Sequence, residues 1–149
     1  MELTKKYITD SPEQTEEIGA ELARMLLSDG AIPRFIALYG DLGVGKTAFV
    51  RGFTSLIAPT ARVKSPTFAL VNEYRGQSTS VFHFDMYRIE DEDELYSIGF
   101  YDYFDRNGVI LVEWSEKIEY ALPDRYVRVE ISKLLGDNPD GREISVNLV

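Results

Sequence analysis

The most specific chemistry in this chain is carried by one short run, Gly40-Asp41-Leu42-Gly43-Val44-Gly45-Lys46-Thr47. It fits the pattern G-x-x-x-x-G-K-[ST], a loop that cradles phosphate groups. Glycines remove the Cβ atoms that would keep a backbone from wrapping round a triphosphate. The N–H groups of Asp41, Leu42, Gly43, Val44, Gly45, Lys46, Thr47 and Ala48 then line an anion-binding concavity at a helix N-terminus, where the dipole favours negative charge. Lys46 is placed to reach the β- and γ-phosphates, and the Thr47 hydroxyl to hold Mg²⁺.

Such a site also needs an acid at the carboxyl end of a buried strand, binding the metal directly or through water. Two segments end that way, Val81-Phe82-His83-Phe84-Asp85 and Val109-Ile110-Leu111-Val112-Glu113. The continuous apolar run before Glu113 suits a strand covered on both faces, whereas Asp85 follows an alternating, half-polar one. Glu113 is therefore the favoured metal ligand, with Asp85 holding a metal-bound water or placing the attacking water. In Ser65-Pro66-Thr67, the Thr67 hydroxyl is a candidate switch group that orders against the γ-phosphate and Mg²⁺. Trp114 either packs in the core or forms a wall beside the nucleotide. His83, the single histidine in a chain without cysteine, cannot build a usual zinc site and reads as a strand-packed imidazole.

Several elements must position these groups. Arg34 to Tyr39 reads as a buried strand delivering the chain to Gly40. From Lys46, residues Phe49, Val50, Phe53, Leu56 and Ile57 recur at helical spacing, and Pro59 ends the helix. Upstream, Lys5 to Thr9 fits a short edge strand. Ser11, Pro12 and Gln14 then form a helix start with a capping box, and Ile18, Leu22, Met25 and Leu26 make its buried stripe. Phe68 to Tyr74, with Phe68, Leu70 and Tyr74 on one face, and Val81 to Tyr87 form an antiparallel hairpin. Acids from Glu90 to Glu94 open a helical stretch through Leu95, Ile98, Tyr101 and Phe104. Ser115 to Ala121 reads as a short helix. Val127, Val129 and Ile131 alternate to face Ile144, Val146 and Leu148 across a second hairpin.

Size and charge narrow the function. A chain of 149 residues is most simply one domain, 1–149, able to bury about 68–70% of its unfolded surface. No apolar run is long enough to span a membrane, and the N-terminus lacks a signal-peptide core, so a cytoplasmic location is expected. The net charge is −9, from 25 acids against 16 bases. Nucleic-acid affinity rests on Lys and Arg neutralising phosphates, so tight direct binding to RNA or DNA is not expected. A basic protein partner is easier to accommodate.

Four motifs in order carry a family resemblance: the loop at 40–47, Ser65-Pro66-Thr67-Phe68, His83-Phe84-Asp85-Met86-Tyr87-Arg88 and Leu111-Val112-Glu113-Trp114. Together they resemble the TsaE family of small bacterial ATPases required for the threonylcarbamoyladenosine modification of tRNA. The resemblance runs from about Ser11 to Glu116, and the C-terminal hairpin matches loosely. Ala48 stands where the family often has a second Thr, while Thr47 keeps the metal-binding hydroxyl. The resemblance implies an α/β fold of the P-loop NTPase kind, a mostly parallel sheet flanked by helices with antiparallel hairpin additions. It implies ATP and Mg²⁺ as cofactors, and hydrolysis that is weak alone and stimulated by partners. Functional positions map onto Lys46, Thr47, Asp85, Glu113 and Trp114. The implied partners are TsaD, which transfers the threonylcarbamoyl group to adenosine 37, and its companion TsaB, with tRNA met only through the complex. ATP hydrolysis would reset that complex between turnovers.

The residues holding the adenine are not marked in the sequence. The Ser11 region is a candidate, since many P-loop proteins place the base against segments outside the loop. A small-molecule kinase of the P-loop class is the alternative reading, though no Arg-rich lid follows Glu113. A GTP switch lacks its guanine-reading Asn-Lys-x-Asp sequence, and a non-hydrolysing adaptor would differ in turnover with partners.

Overall fold

The computed structural model describes residues 4–41, 43–66 and 70–149. The expectations for Leu42, Thr67 and Phe68 lie outside the described residues. The strands are β1 (Thr4–Thr9), β2 (Phe35–Tyr39), β3 (Val71–Arg75), β4 (Ser80–Asp85), β5 (Gly108–Glu113), β6 (Val127–Lys133) and β7 (Arg142–Leu148). They form one sheet in the order β1-β7-β6-β2-β5-β4-β3. The helices are α1 (Pro12–Ser28), α2 (Lys46–Ile57) and α3 (Glu92–Ser97).

The sheet is mixed rather than mostly parallel. Pairings β6–β2, β2–β5 and β5–β4 are parallel, while β1–β7, β7–β6 and β4–β3 are antiparallel. The parallel strands occupy the centre, where helical crossovers can cover both faces, and the antiparallel pairings come from hairpins added at the edges. Alternation in the central strands explains why they read as continuous apolar runs. On β2, Ile36 and Leu38 join Val109 and Leu111 of β5 in the core beneath α1 and α2. Phe35, Ala37, Tyr39, Ile110 and Val112 point to the opposite face, against Leu95, Phe100 and Ile118. In the C-terminal hairpin the two expected sets face one another, with Val127 opposite Leu148, Val129 opposite Val146 and Ile131 opposite Ile144.

The helix α1 begins as its sequence dictates. The Gln14 amide donates to Ser11 Oγ (3.2 Å), and the Gln14 side chain accepts from the Asp10 amide (2.7 Å). Its buried face is Thr15, Gly19, Leu22, Ala23 and Leu26, with Ile18 and Met25 only partly covered. The stripe is rotated because α1 crosses α2 at backbone distance. A Cβ on Gly52 would stand 1.8 Å from the Glu16 carbonyl oxygen, and one on Gly19 would stand 2.2 Å from that of Phe49. The same crossing turns Leu56 outward, 40% exposed.

Other expectations change with tertiary context. The half-polar pattern of β4 does not mean a half-solvated strand, because Val81 through Asp85 are all buried. Leu70 is not in a strand: its φ is +67°, its amide donates to the Pro66 carbonyl (2.7 Å) and its carbonyl accepts from the Asp85 amide (3.0 Å). The aromatic stretch after α3 is a 3₁₀ helix, Phe100–Asp105, entered through Gly99 at φ +73°. The segment after Trp114 is two 3₁₀ turns, Ser115–Lys117 and Glu119–Ala121, not one helix. Among the described residues no helix is long and apolar enough to cross a membrane.

Candidate functional site

The parallel register brings the two strand-end acids together. Asp85 on β4 is the Cα partner of Glu113 on β5. Side chains on one strand alternate between faces, so Asp85, His83 and Glu113 share the face that packs against α2. The loop after β2 delivers Lys46 to the same place. Gly43, Gly45, Lys46, Thr47, Ser65, Asp85, Glu113 and Trp114 surround one cavity of about 330 Å³. Lys46, Asp85 and Glu113 are each only 5 to 6% exposed.

Gly45 takes the N-cap position of α2 at φ +104°, which a residue with a side chain rarely adopts, and as a glycine it offers the first amides no capping side chain. The Lys46 ammonium donates to the Gly40 carbonyl (2.7 Å) and lies over the Trp114 ring, 4.1 Å from its centroid. Burial pushes the Lys46 pKa below its ordinary value, against the opposing pull of Glu113, Glu116, Asp85 and Asp41. Trp114 is therefore a wall of the cavity, also packed on the Tyr87 ring at 4.9 Å between centroids. Its own backbone is left-handed, with φ +59° and ψ +44°. That turn sends the chain away from β5 immediately after the acid.

Both acids are held from behind. Asp85 Oδ1 accepts from the Tyr87 amide (2.9 Å). Glu113 Oε2 lies 2.5 Å from His83 Nε2, and His83 is wholly buried. The imidazole is strand-packed as expected, but its role as the partner of the favoured metal acid is not visible in sequence. Arg142, at the start of β7, is a second residue sequence reasoning missed. Its Nε donates to the Val44 carbonyl (2.7 Å) and its Nη1 to the Pro139 and Gly141 carbonyls (2.8 Å each), so it ties the C-terminal hairpin to the phosphate-type loop. No local signal announces a contact spanning 98 residues.

The donor set suits Mg²⁺. Thr47, Asp85 and Glu113 offer only hard oxygen ligands, and Mg²⁺ is commonly held by one or two carboxylates plus substrate phosphates. Among the described residues no group of three or more His, Asp or Glu side chains forms a cage that would bind a metal unaided. Of the remaining predicted residues, Asp41 and Val44 line a neighbouring cavity of about 610 Å³ with Tyr39, Arg128 and Lys133. Ala48 is buried on α2. Ser11 lines neither cavity, and its hydroxyl caps α1.

A family model described as "Threonylcarbamoyl adenosine biosynthesis protein TsaE" matches residues 9–144. The chain belongs to the TsaE family. The tRNA threonylcarbamoyladenosine biosynthesis protein TsaE of Bacillus subtilis is 40% identical over 97% of this chain and 85% of its own length. The protein of the same name from Haemophilus influenzae is 40% identical over 88% of this chain and 83% of its own. The crystal structure of Bacillus subtilis YdiB superposes with a TM-score of 0.76 at 35% identity, covering 100% of this chain and 88% of that one. The TsaE match takes in the loop, both strand-end acids and Arg142 alike.

Proposed function

We propose that this chain hydrolyses ATP with Mg²⁺ and thereby supports threonylcarbamoyladenosine modification of tRNA position 37, working in complex with the TsaD transferase and TsaB. The observation that carries the reading is the shared cavity: the glycine-capped start of α2, Lys46, Thr47 and two paired strand-end acids, in a chain of the TsaE family. The loop amides and Lys46 bind and orient the β- and γ-phosphates. Thr47 and Glu113 would hold Mg²⁺, which neutralises phosphate charge and fixes its geometry. Asp85 orients water at the same end of the sheet. Trp114 covers the site and excludes bulk solvent. The adjoining cavity past Gly40 and Asp41 provides room for the rest of the nucleotide.

A net charge of −9 agrees with reaching tRNA through partners, since phosphate backbones are bound by basic surfaces. Weak hydrolysis alone follows if partners complete the site with positive charge, an effect worth about 10³–10⁵ in rate. The test is release of inorganic phosphate from ATP, alone and with the TsaB–TsaD pair. The reading expects strong stimulation and no phosphorylated small molecule. An unchanged rate overturns the partner role, and phosphoryl transfer to a metabolite would favour the kinase alternative.

A further inference from the structure

Across three neighbouring strands, polar side chains form a diagonal that the reaction as described above does not use. Tyr74 on β3 pairs with Val81 on β4, two residues before His83. His83 in turn pairs with Leu111 on β5, two residues before Glu113. Diagonal neighbours on one sheet face are within reach of long side chains, and the contacts form. The Tyr74 hydroxyl is 3.3 Å from His83 Nδ1, and His83 Nε2 is 2.5 Å from Glu113 Oε2. At the other end, the Lys64 amide donates to the Tyr74 hydroxyl (3.1 Å). Asn72 Nδ2 donates to the Lys64 carbonyl (3.1 Å), which also lies 3.0 Å from the Tyr74 hydroxyl.

The Tyr74 hydroxyl accepts from the Lys64 amide and donates to the Lys64 carbonyl, and it also touches His83 Nδ1, whose ring reaches Glu113 through Nε2. Ser65, the residue after Lys64, lines the same cavity as Glu113. A buried polar group is stabilised only when its partners are all present, so the carboxylate and the backbone at residue 64 hold each other in place.

We propose that Tyr74 and His83 are positioning residues that aim the Glu113 carboxylate at the metal and couple it to the Lys64–Ser65 backbone. This rests on the reading of Glu113 as a Mg²⁺ ligand. Outer partners that orient a ligand typically change metal affinity about 10–100-fold when removed.

Trp114 is the single tryptophan, so its fluorescence reports nucleotide binding without turnover. ATP is titrated with EDTA and with graded Mg²⁺ into the wild type, His83→Ala, His83→Gln and Tyr74→Phe. The proposal expects ATP affinity in EDTA within about threefold of wild type for all variants. It expects the Mg²⁺ concentration for half-maximal effect to rise about 10–100-fold in His83→Ala and to recover in His83→Gln, whose amide can donate in place of Nε2. Tyr74→Phe, which removes one hydroxyl and keeps the ring, should shift the Mg²⁺ midpoint in the same direction and speed hydrogen exchange at the Lys64 amide. It decides the matter if His83→Ala fails to fold. A wild-type Mg²⁺ effect retained unchanged in His83→Ala, or in Tyr74→Phe with slow Lys64 exchange, overturns this inference alone. ATP binding by the wild type with no Mg²⁺ effect overturns the metal reading and this inference together.

Discussion

The Lys46 ammonium and the Trp114 indole face one another at 4.1 Å, so the cation proposed to bind phosphate and the chain's one indole meet at the same point. A cation over an indole gains about 0.5–2 kcal/mol, more when desolvated. Drawing Lys46 towards phosphates removes that contact, and Trp114 emission should change on ATP binding. Lys46→Ala should weaken ATP binding about 10–100-fold, in line with about 1.5–3 kcal/mol for charged hydrogen bonds. Glu113→Ala should keep Mg²⁺-free binding and lose hydrolysis by about 10²-fold. Fluorescence titration in EDTA beside phosphate-release rates separates the two. Equal loss of Mg²⁺-free affinity in both variants would contradict the division of roles.

Arg142 holds the loop carbonyl of Val44 at 2.7 Å from the opposite end of the chain. Arg142→Ala should leave the fold intact and loosen the loop, raising the ATP Kd about tenfold, or roughly 1.4 kcal/mol. The check is the same titration together with a denaturation curve. Unaltered affinity would show that the loop needs no brace.

Arg142 and His83 show where the sequence stops being legible. The loop and the acids at 85 and 113 were readable because their signals are local: a fixed spacing, and apolar strands ending in a carboxylate. The facing sets of the C-terminal hairpin followed from alternation, as with Val129 opposite Val146. The His83–Glu113 contact was not readable, because a diagonal across two strands depends on which strands are neighbours and in what register. Nor was the burial of β4 as a whole, whose alternating pattern reads as half-polar although Val81 through Asp85 are all buried. The strand expected through Leu70 failed for a related reason: its carbonyl is recruited by the Asp85 amide, overriding local alternation.

Tyr39 supplies a pH signature. Burial first, and then the neighbouring Tyr126, raise its phenol from 10 to about 12 against the pull of Arg128. Between those values the unfolded chain releases the proton and the folded chain keeps it. Native stability contributed by this group is therefore complete below pH 10 and lost towards pH 12. The hydroxyl is buried without a hydrogen-bond partner among the described residues, so Tyr39→Phe should cost little at pH 7. Urea denaturation from pH 7 to 12 should show the variant gaining on the wild type only above pH 10. Parallel curves would contradict the assignment.

The crossing of α1 and α2 positions the loop, and Gly52 permits it. Gly52→Ala places a methyl within 1.8 Å of the Glu16 carbonyl oxygen, and backbone cannot yield as a flexible side chain does. Overpacking of this kind costs about 1–3 kcal/mol. Chemical denaturation should show a loss at the upper end of that range, and a neutral substitution would mean that the helices separate without penalty.

The most direct test of the account is a crystal structure with Mg²⁺ and a non-hydrolysable ATP analogue. The account predicts the triphosphate on the amides of residues 43–47, with Mg²⁺ bonded to the Thr47 hydroxyl and to Glu113 directly or through one water. A nucleotide bound elsewhere, or a metal that ignores both Thr47 and Glu113, would contradict it.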